Sequence, residues 1–253
     1  MVIGPQNPLP ERYPADAVAV FDPDERARFL DGCGVARDEQ QLPWELLYRI
    51  EPALYARLVA GERLHDGILR WLPAQCGRVL EIGAGAGRLT LELARRSAHL
   101  TAVEPAAPLH RILTERLRES GAENVRVVRG FFDDLPAPMR THDLVISCSA
   151  FTPHALDNPD HCVEAMESRC AVGGRVVLIW PSDVSWLSER GFQHLVFEGP
   201  MLVEYESLEE ALALARIFYP HAVDAIARLG SRFVDYTTLG LNPPRDLCWK
   251  ECP

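Results

Sequence analysis

Val79-Leu80-Glu81-Ile82-Gly83-Ala84-Gly85-Ala86-Gly87-Arg88-Leu89-Thr90 is the stretch whose reading decides the fold. An apolar run with strand character meets three alternate glycines, and the chain then resumes with the helical periodicity of LTLELARRS. Glycines at such a junction let the backbone turn sharply and let a ligand lie against it with no Cβ in the way. The dinucleotide spelling G-x-G-x-x-G, started at Gly83, needs its third glycine at position 88, where Arg88 stands. Glu81, two residues before the first glycine, suits a cationic ligand group better than a pyrophosphate, and a helix N-terminus beyond the turn favours a carboxylate. An amino-acid moiety carries both charges.

Outward from this turn the pattern repeats. RVLEI (78–82), LTAVE (100–104), VRVVR (125–129), DLVIS (143–147) and RVVLIW (175–180) are short apolar runs separated by segments of helical periodicity. Near-continuous Val/Ile/Leu runs joined by helical crossovers mark a parallel sheet covered on both faces. The sequence predicts a doubly wound α/β fold in which the glycine turn lies in the ligand crevice at the strand ends. Glu104 lies 21 residues past Gly83, the offset at which an acid commonly receives ribose hydroxyls. GFFDDLP (130–136) adds two aromatic rings and two carboxylates where an adenine could be sandwiched.

Before the sheet, the prolines at positions 5, 8, 10 and 14 imply an extended lead-in. Helices are expected from Pro23 behind Asp22, from Pro43 to Ala60 with a break near Pro52, and from Glu62 to Leu72. The expected division is a helical cap over 1–70 and a ligand-binding sheet domain over 71–253. Ser207 and Glu210 form a capping box for LEEALALARIFY. RFVDYTTLG and DLCWKE, separated by NPP, read as an antiparallel hairpin.

Composition limits the function classes. The 253 residues carry 26 Lys+Arg against 36 Asp+Glu, a formal charge of −10, and only one of the basic residues is a lysine, Lys250. With no basic block, a large phosphate-backbone footprint on nucleic acid is not expected. Seven cysteines, an odd count with no CxxC, read as reduced thiols. The first residues show neither a basic nor an apolar signal region, and no long apolar run is present, so a cytoplasmic protein without a membrane span is expected.

VLEIGAGAG, VEP, GFFDDLP and DLVISCSAF together resemble the first, acidic-loop, adenine and fourth motifs of the class I S-adenosylmethionine-dependent methyltransferases. The resemblance implies a Rossmann-like, seven-stranded, mostly parallel sheet whose last strand is antiparallel, with DLCWKE as the candidate for that strand. It implies S-adenosylmethionine as cofactor, with Gly83, Ala84 and Gly85 under its methionine part, Glu104 at the ribose, and Phe132 with Asp133 at the adenine. Glu81, Gly87, Pro105 and Ser147 complete the implied cofactor set. Many relatives carry an acid directly after the glycine equivalent to Gly130, where this chain has Phe131.

The segment from Ser147 to His154 runs toward the point of methyl transfer, and His154 is the candidate general base. The fourth motif is not the Asn/Asp-Pro-Pro-aromatic spelling of amino-group methylation. The cluster of His154, Asp157, Asp160, His161 and Cys162 fits no structural zinc spacing, so no metal is expected. Tyr13, Trp44 and Tyr48 of the cap are candidates for a lid. The reading that follows is methyl transfer to an oxygen, nitrogen or carbon of a small molecule. The alternatives are an RNA or protein acceptor, or a non-catalytic S-adenosylmethionine-binding subunit.

Overall fold

The computed structural model describes residues 12–131, 141–156 and 158–253. Their packing divides the chain into two compact units, one of residues 64–199 and 244–253, the other of residues up to 63 and 200–243. Residues 200–243 therefore pack with the N-terminal segment, although they follow most of the sheet in sequence.

The first unit is built on seven strands: β1 (Cys76–Ile82), β2 (Ser97–Val103), β3 (Val125–Val128), β4 (His142–Cys148), β5 (Cys170–Ile179), β6 (Gln193–Val196) and β7 (Asp246–Glu251). Their spatial order is β3-β2-β1-β4-β5-β7-β6. All neighbours from β3 to β5 are parallel, and β7 is antiparallel to both β5 and β6. This is the expected Rossmann-like sheet with a reversed last strand. Its alternating side chains build two cores: Leu80, Ile82, Val145 and Leu178 pack with Val163 and Met166, whereas Val79, Leu144, Ile146 and Val177 pack with Ile68, Leu72 and Leu93. Burial on both faces is why the strand sequences are almost continuously apolar.

The predicted hairpin of RFVDYTTLG with DLCWKE does not form. Phe233–Asp235 pairs instead with Leu202–Glu204 as a two-stranded ribbon in the second unit. Leu247 and Cys248 of β7 are fully buried, and insertion between β5 and β6 gives that strand hydrogen-bonding partners on both edges, which a hairpin could not. The helix expected over 62–72 is shortened to Asp66–Trp71, because His65 caps it, its ring accepting from the Gly67 amide at 2.9 Å.

The second unit is mainly helical. Pro23–Phe29 begins with the capping box of Asp22 and Glu25. The Pro52 break separates Leu42–Ile50 from Pro52–Ala60, and Leu208–Phe218 starts at its Ser207 cap. Its core contains an ion cluster: Arg49 donates to Glu25 at 2.9 Å and to Glu45 at 2.6 Å, with the rings of Phe21 and Phe29 at 5.0 and 5.1 Å. The guanidinium satisfies two carboxylates and two aromatic faces at once, which lets three ionised groups be buried together.

Candidate functional site

The glycine turn follows β1 directly and is laced to the end of β2. The amides of Gly83 and Ala84 both donate to the Val103 carbonyl, at 2.9 and 3.0 Å. Gly83, Gly85 and Gly87 all have positive φ, at +74°, +56° and +94°. At Gly83 glycine is required twice over, since a Cβ there would collide with the Ala150 side chain at the end of β4. From the other side, Arg116 of the Ala107–Ser120 helix donates to the Ala86 carbonyl at 2.7 Å. The turn is a fixed cradle. The helix beyond it is only Thr90–Ala94, so the expected helix-dipole contribution to anion binding is small.

Two buried carboxylates flank the turn in opposite environments. Glu104, 4% exposed, accepts from the Gly85 amide and from the Ala106 amide, each at 2.8 Å. A carboxylate offers about four lone-pair directions, so it can bond several donors at once. Glu81 is 2% exposed, and its Oε2 has no hydrogen-bond partner. Burial pushes its carboxyl up to about 8, the charge of Glu104 adds to the rise, and the Thr90 hydroxyl and Arg88 guanidinium partly oppose it. Another buried hydroxyl nearby, Ser147 Oγ, also lacks a partner. Ser147 is paired in register with Ile82, which brings it beside the turn.

Beyond Ser147 the ends of β4 and β5 form a shallow depression, without room to enclose a water molecule, lined by Ser147, Ser149, Phe151, Trp180, Pro181 and Leu187. Ser149 and Trp180 sit at φ +57° and +54°, a region that costs a non-glycine residue about 1–3 kcal/mol. Both strained residues are held by backbone bonds, Ser149 N to Ile179 O at 3.0 Å and Trp180 N to Asp246 O at 2.9 Å. Arg88 reaches this wall: its Nη2 lies 3.3 Å from Cys148 Sγ and its guanidinium is 5.8 Å from the Trp180 ring. Sequence reading gave Arg88 significance only as a missing glycine. No local pattern announces its contact with two other strand ends.

The structure thus brings Glu81, Gly83, Ala84, Gly85, Gly87, Glu104, Pro105 and Ser147 to the ends of three adjacent strands. Pro105 follows Glu104 and its carbonyl accepts from Arg129 at 3.4 Å. Phe132 and Asp133, with Asp134 and Asp157, lie outside the described residues. His154 is in the short Pro153–Ala155 turn, its side chain 76% exposed, with Nε2 2.9 Å from Asp183 Oδ2. Tyr13, Trp44 and Tyr48 belong to the second unit, where Tyr13 donates to Glu51 and Trp44 stacks on Phe218 at 6.2 Å. Among the described residues no group of three or more His, Cys, Asp or Glu side chains could hold a metal, and no helix is long and apolar enough to cross a membrane.

Comparison with known proteins agrees with this geometry. Residues 79–174 match the methyltransferase-domain family. An uncharacterized methyltransferase of Bacillus licheniformis is 36% identical over 99 residues, covering 39% of this chain and 44% of that protein. The ubiquinone biosynthesis O-methyltransferase of Xylella fastidiosa is 31% identical over 114 residues, covering 44% of each. The chain spans about half the length of the curated relatives it matches. Among solved structures, the [4+2]-cyclase SpnF superposes with a TM-score of 0.54 at 15% identity, over 83% of this chain and 95% of that one. A putative methyltransferase of Bacillus halodurans gives 0.51 at 14% identity, over 74% and 98%. These likenesses show the fold.

Proposed function

Since the chain carries a class I methyltransferase domain, we propose that it binds S-adenosylmethionine at the glycine turn and transfers the methyl group to a small-molecule acceptor. The observation that carries this reading is the pair of buried carboxylates flanking the turn, Glu104 tied to the Gly85 amide and Glu81 with an oxygen left unpartnered. A ligand bearing both an ammonium group and ribose hydroxyls would pair the one with Glu81 and the other with Glu104. Glu81 and Thr90 would face the ammonium group, the amides of the glycine turn the carboxylate, and Glu104 the ribose. The presence of a [4+2]-cyclase among the structures of this fold means that the sheet alone does not choose the reaction. The residues at the turn choose the cofactor.

S-Adenosylmethionine supplies an electrophilic methyl group that needs no covalent help from the protein. The chain's task is orientation: holding an acceptor atom in line can contribute on the order of 7–11 kcal/mol. The ends of β4 and β5, with the strained Ser149 and Trp180 fixed by backbone bonds, would supply one wall against the acceptor. His154 is proposed to take a proton from a hydroxyl or ammonium acceptor, with Asp183 holding the ring through Nε2 and leaving Nδ1 to act. The formal charge of −10 and the scarcity of lysine support a metabolite rather than a nucleic acid as acceptor.

Two measurements test this. Calorimetry with S-adenosylmethionine, S-adenosylhomocysteine and NAD is expected to show binding of the first two alone; tight NAD binding would overturn the cofactor reading. Transfer of labelled methyl into a metabolite extract, against bulk RNA, separates the acceptor classes.

A further inference from the structure

The two carboxylates at the turn meet different hydrogen-bond partners. Glu104 accepts from two backbone amides, an arrangement that favours the ionised form. Glu81 is as deeply buried but, among the described residues, forms no ion pair, and its Oε2 meets no donor. The residues beside it in the sheet are apolar, Ala102 on β2 and Ile146 on β4. Three polar or charged groups act on it: Thr90 from the following helix, Arg88 from the turn and Glu104 from the end of β2. Arg88 is turned to Cys148 and Trp180, and Glu104 repels a second negative charge. A carboxylate taken out of water, with a neutral hydroxyl for a partner and one oxygen without a donor, is costly enough that the group holds its proton instead.

We infer that Glu81 is a neutral carboxylic acid in the ligand-free protein and that it loses its proton to solvent when the cofactor's ammonium group seats beside it, so that cofactor binding and proton release are one event. This rests on the S-adenosylmethionine reading above. The O–H bond of Glu81 breaks, the proton passes to water or buffer, and the carboxylate left behind pairs with the ammonium group. Burial that pushes the free carboxyl up to about 8 means that below this pH the affinity is expected to rise about tenfold per pH unit.

The test is calorimetry of S-adenosylhomocysteine binding to the full chain at pH 6.5, in phosphate and in imidazole, two buffers of different ionisation enthalpy. About one proton released per ligand is expected for the wild type and none for Glu81→Gln, whose amide keeps the shape of the neutral acid. Difference infrared spectra of the wild type should show a protonated-carboxyl band lost on binding and missing from the variant. Ligand binding without proton release, or a variant that releases as many protons as the wild type, overturns this inference alone. Absence of any ligand binding overturns the cofactor reading, and this inference with it.

Discussion

The Gly85 amide donates to the Glu104 carboxylate at 2.8 Å, joining the middle of the glycine turn to the end of the neighbouring strand. One side chain therefore shapes the cradle and is also the proposed ribose ligand.

Glu104→Gln tests both roles. An amide keeps one acceptor oxygen but places a donor against a backbone N–H, so the Gly85 or the Ala106 bond is lost. The expected result is a loss of about 1–3 kcal/mol in stability together with weaker S-adenosylhomocysteine binding, read by thermal unfolding and calorimetry. Unchanged affinity would remove the ribose assignment.

Gly83→Ala should be more damaging than its one added carbon suggests. The residue is at φ +74° and the new Cβ meets Ala150, so backbone strain and collision add. The φ strain alone is worth about 1–2 kcal/mol, and cofactor binding should be lost even where the variant stays folded, as circular dichroism with calorimetry will show.

How much of this site was legible beforehand follows from which interactions are local. The glycine turn, the strand runs and the start of the first helix at Pro23 behind Asp22 are written in adjacent residues, and each forms where expected. DLCWKE takes its place as the reversed last strand through the family resemblance and not through its own pattern, whose two buried residues are adjacent, and the RFVDYTTLG run pairs elsewhere. Gln193–Val196 is an exposed edge strand of four residues with little apolar patterning, and Leu202–Glu204 is a strand of three. Neither carries a periodic signal long enough to read. The grouping of residues 200–243 with residues up to 63, and the Arg88 contact with Cys148 and Trp180, depend on segments far apart in sequence.

The raised carboxyl of Glu81 also couples folding to pH. In the unfolded chain it titrates near its ordinary 4.5, in the fold near about 8, so between these values the folded state holds a proton that the unfolded state has lost. Its contribution to stability is fully present below pH 4.5, falls as pH rises, and is gone above about 8. The decline is about 1.4 kcal/mol per pH unit. Glu81→Gln does not titrate. Its melting temperature relative to wild type should therefore climb from pH 5 to pH 8.5, and a constant difference across that range would refute the assignment.

His154→Asn is expected to leave S-adenosylhomocysteine affinity unchanged and to lower turnover by about 10² to 10⁴, provided the acceptor must lose a proton. Turnover equal to wild type across pH 6–9 would dispose of the base.

Arg49→Met separates structural from functional charge. Its removal leaves Glu25 and Glu45 buried without their shared cation, at a cost of about 3–5 kcal/mol, seen as a lower urea midpoint. Nothing in the proposed chemistry uses Arg49, so cofactor binding by the folded fraction should be preserved.

The position of β7 between β5 and β6 has a consequence for biosynthesis. It is the last of the seven strands to leave the ribosome, and some fifty residues separate the end of β6 at Val196 from its start at Asp246. At about 5–20 residues per second, β5 and β6 wait roughly 3–10 s for the strand that joins them. During that interval the nascent chain presents two unpaired strand edges, one bordered by the apolar Val177 and Ile179. The growing polypeptide is thus most exposed to chaperones, and to association with its neighbours, just before its synthesis reaches β7.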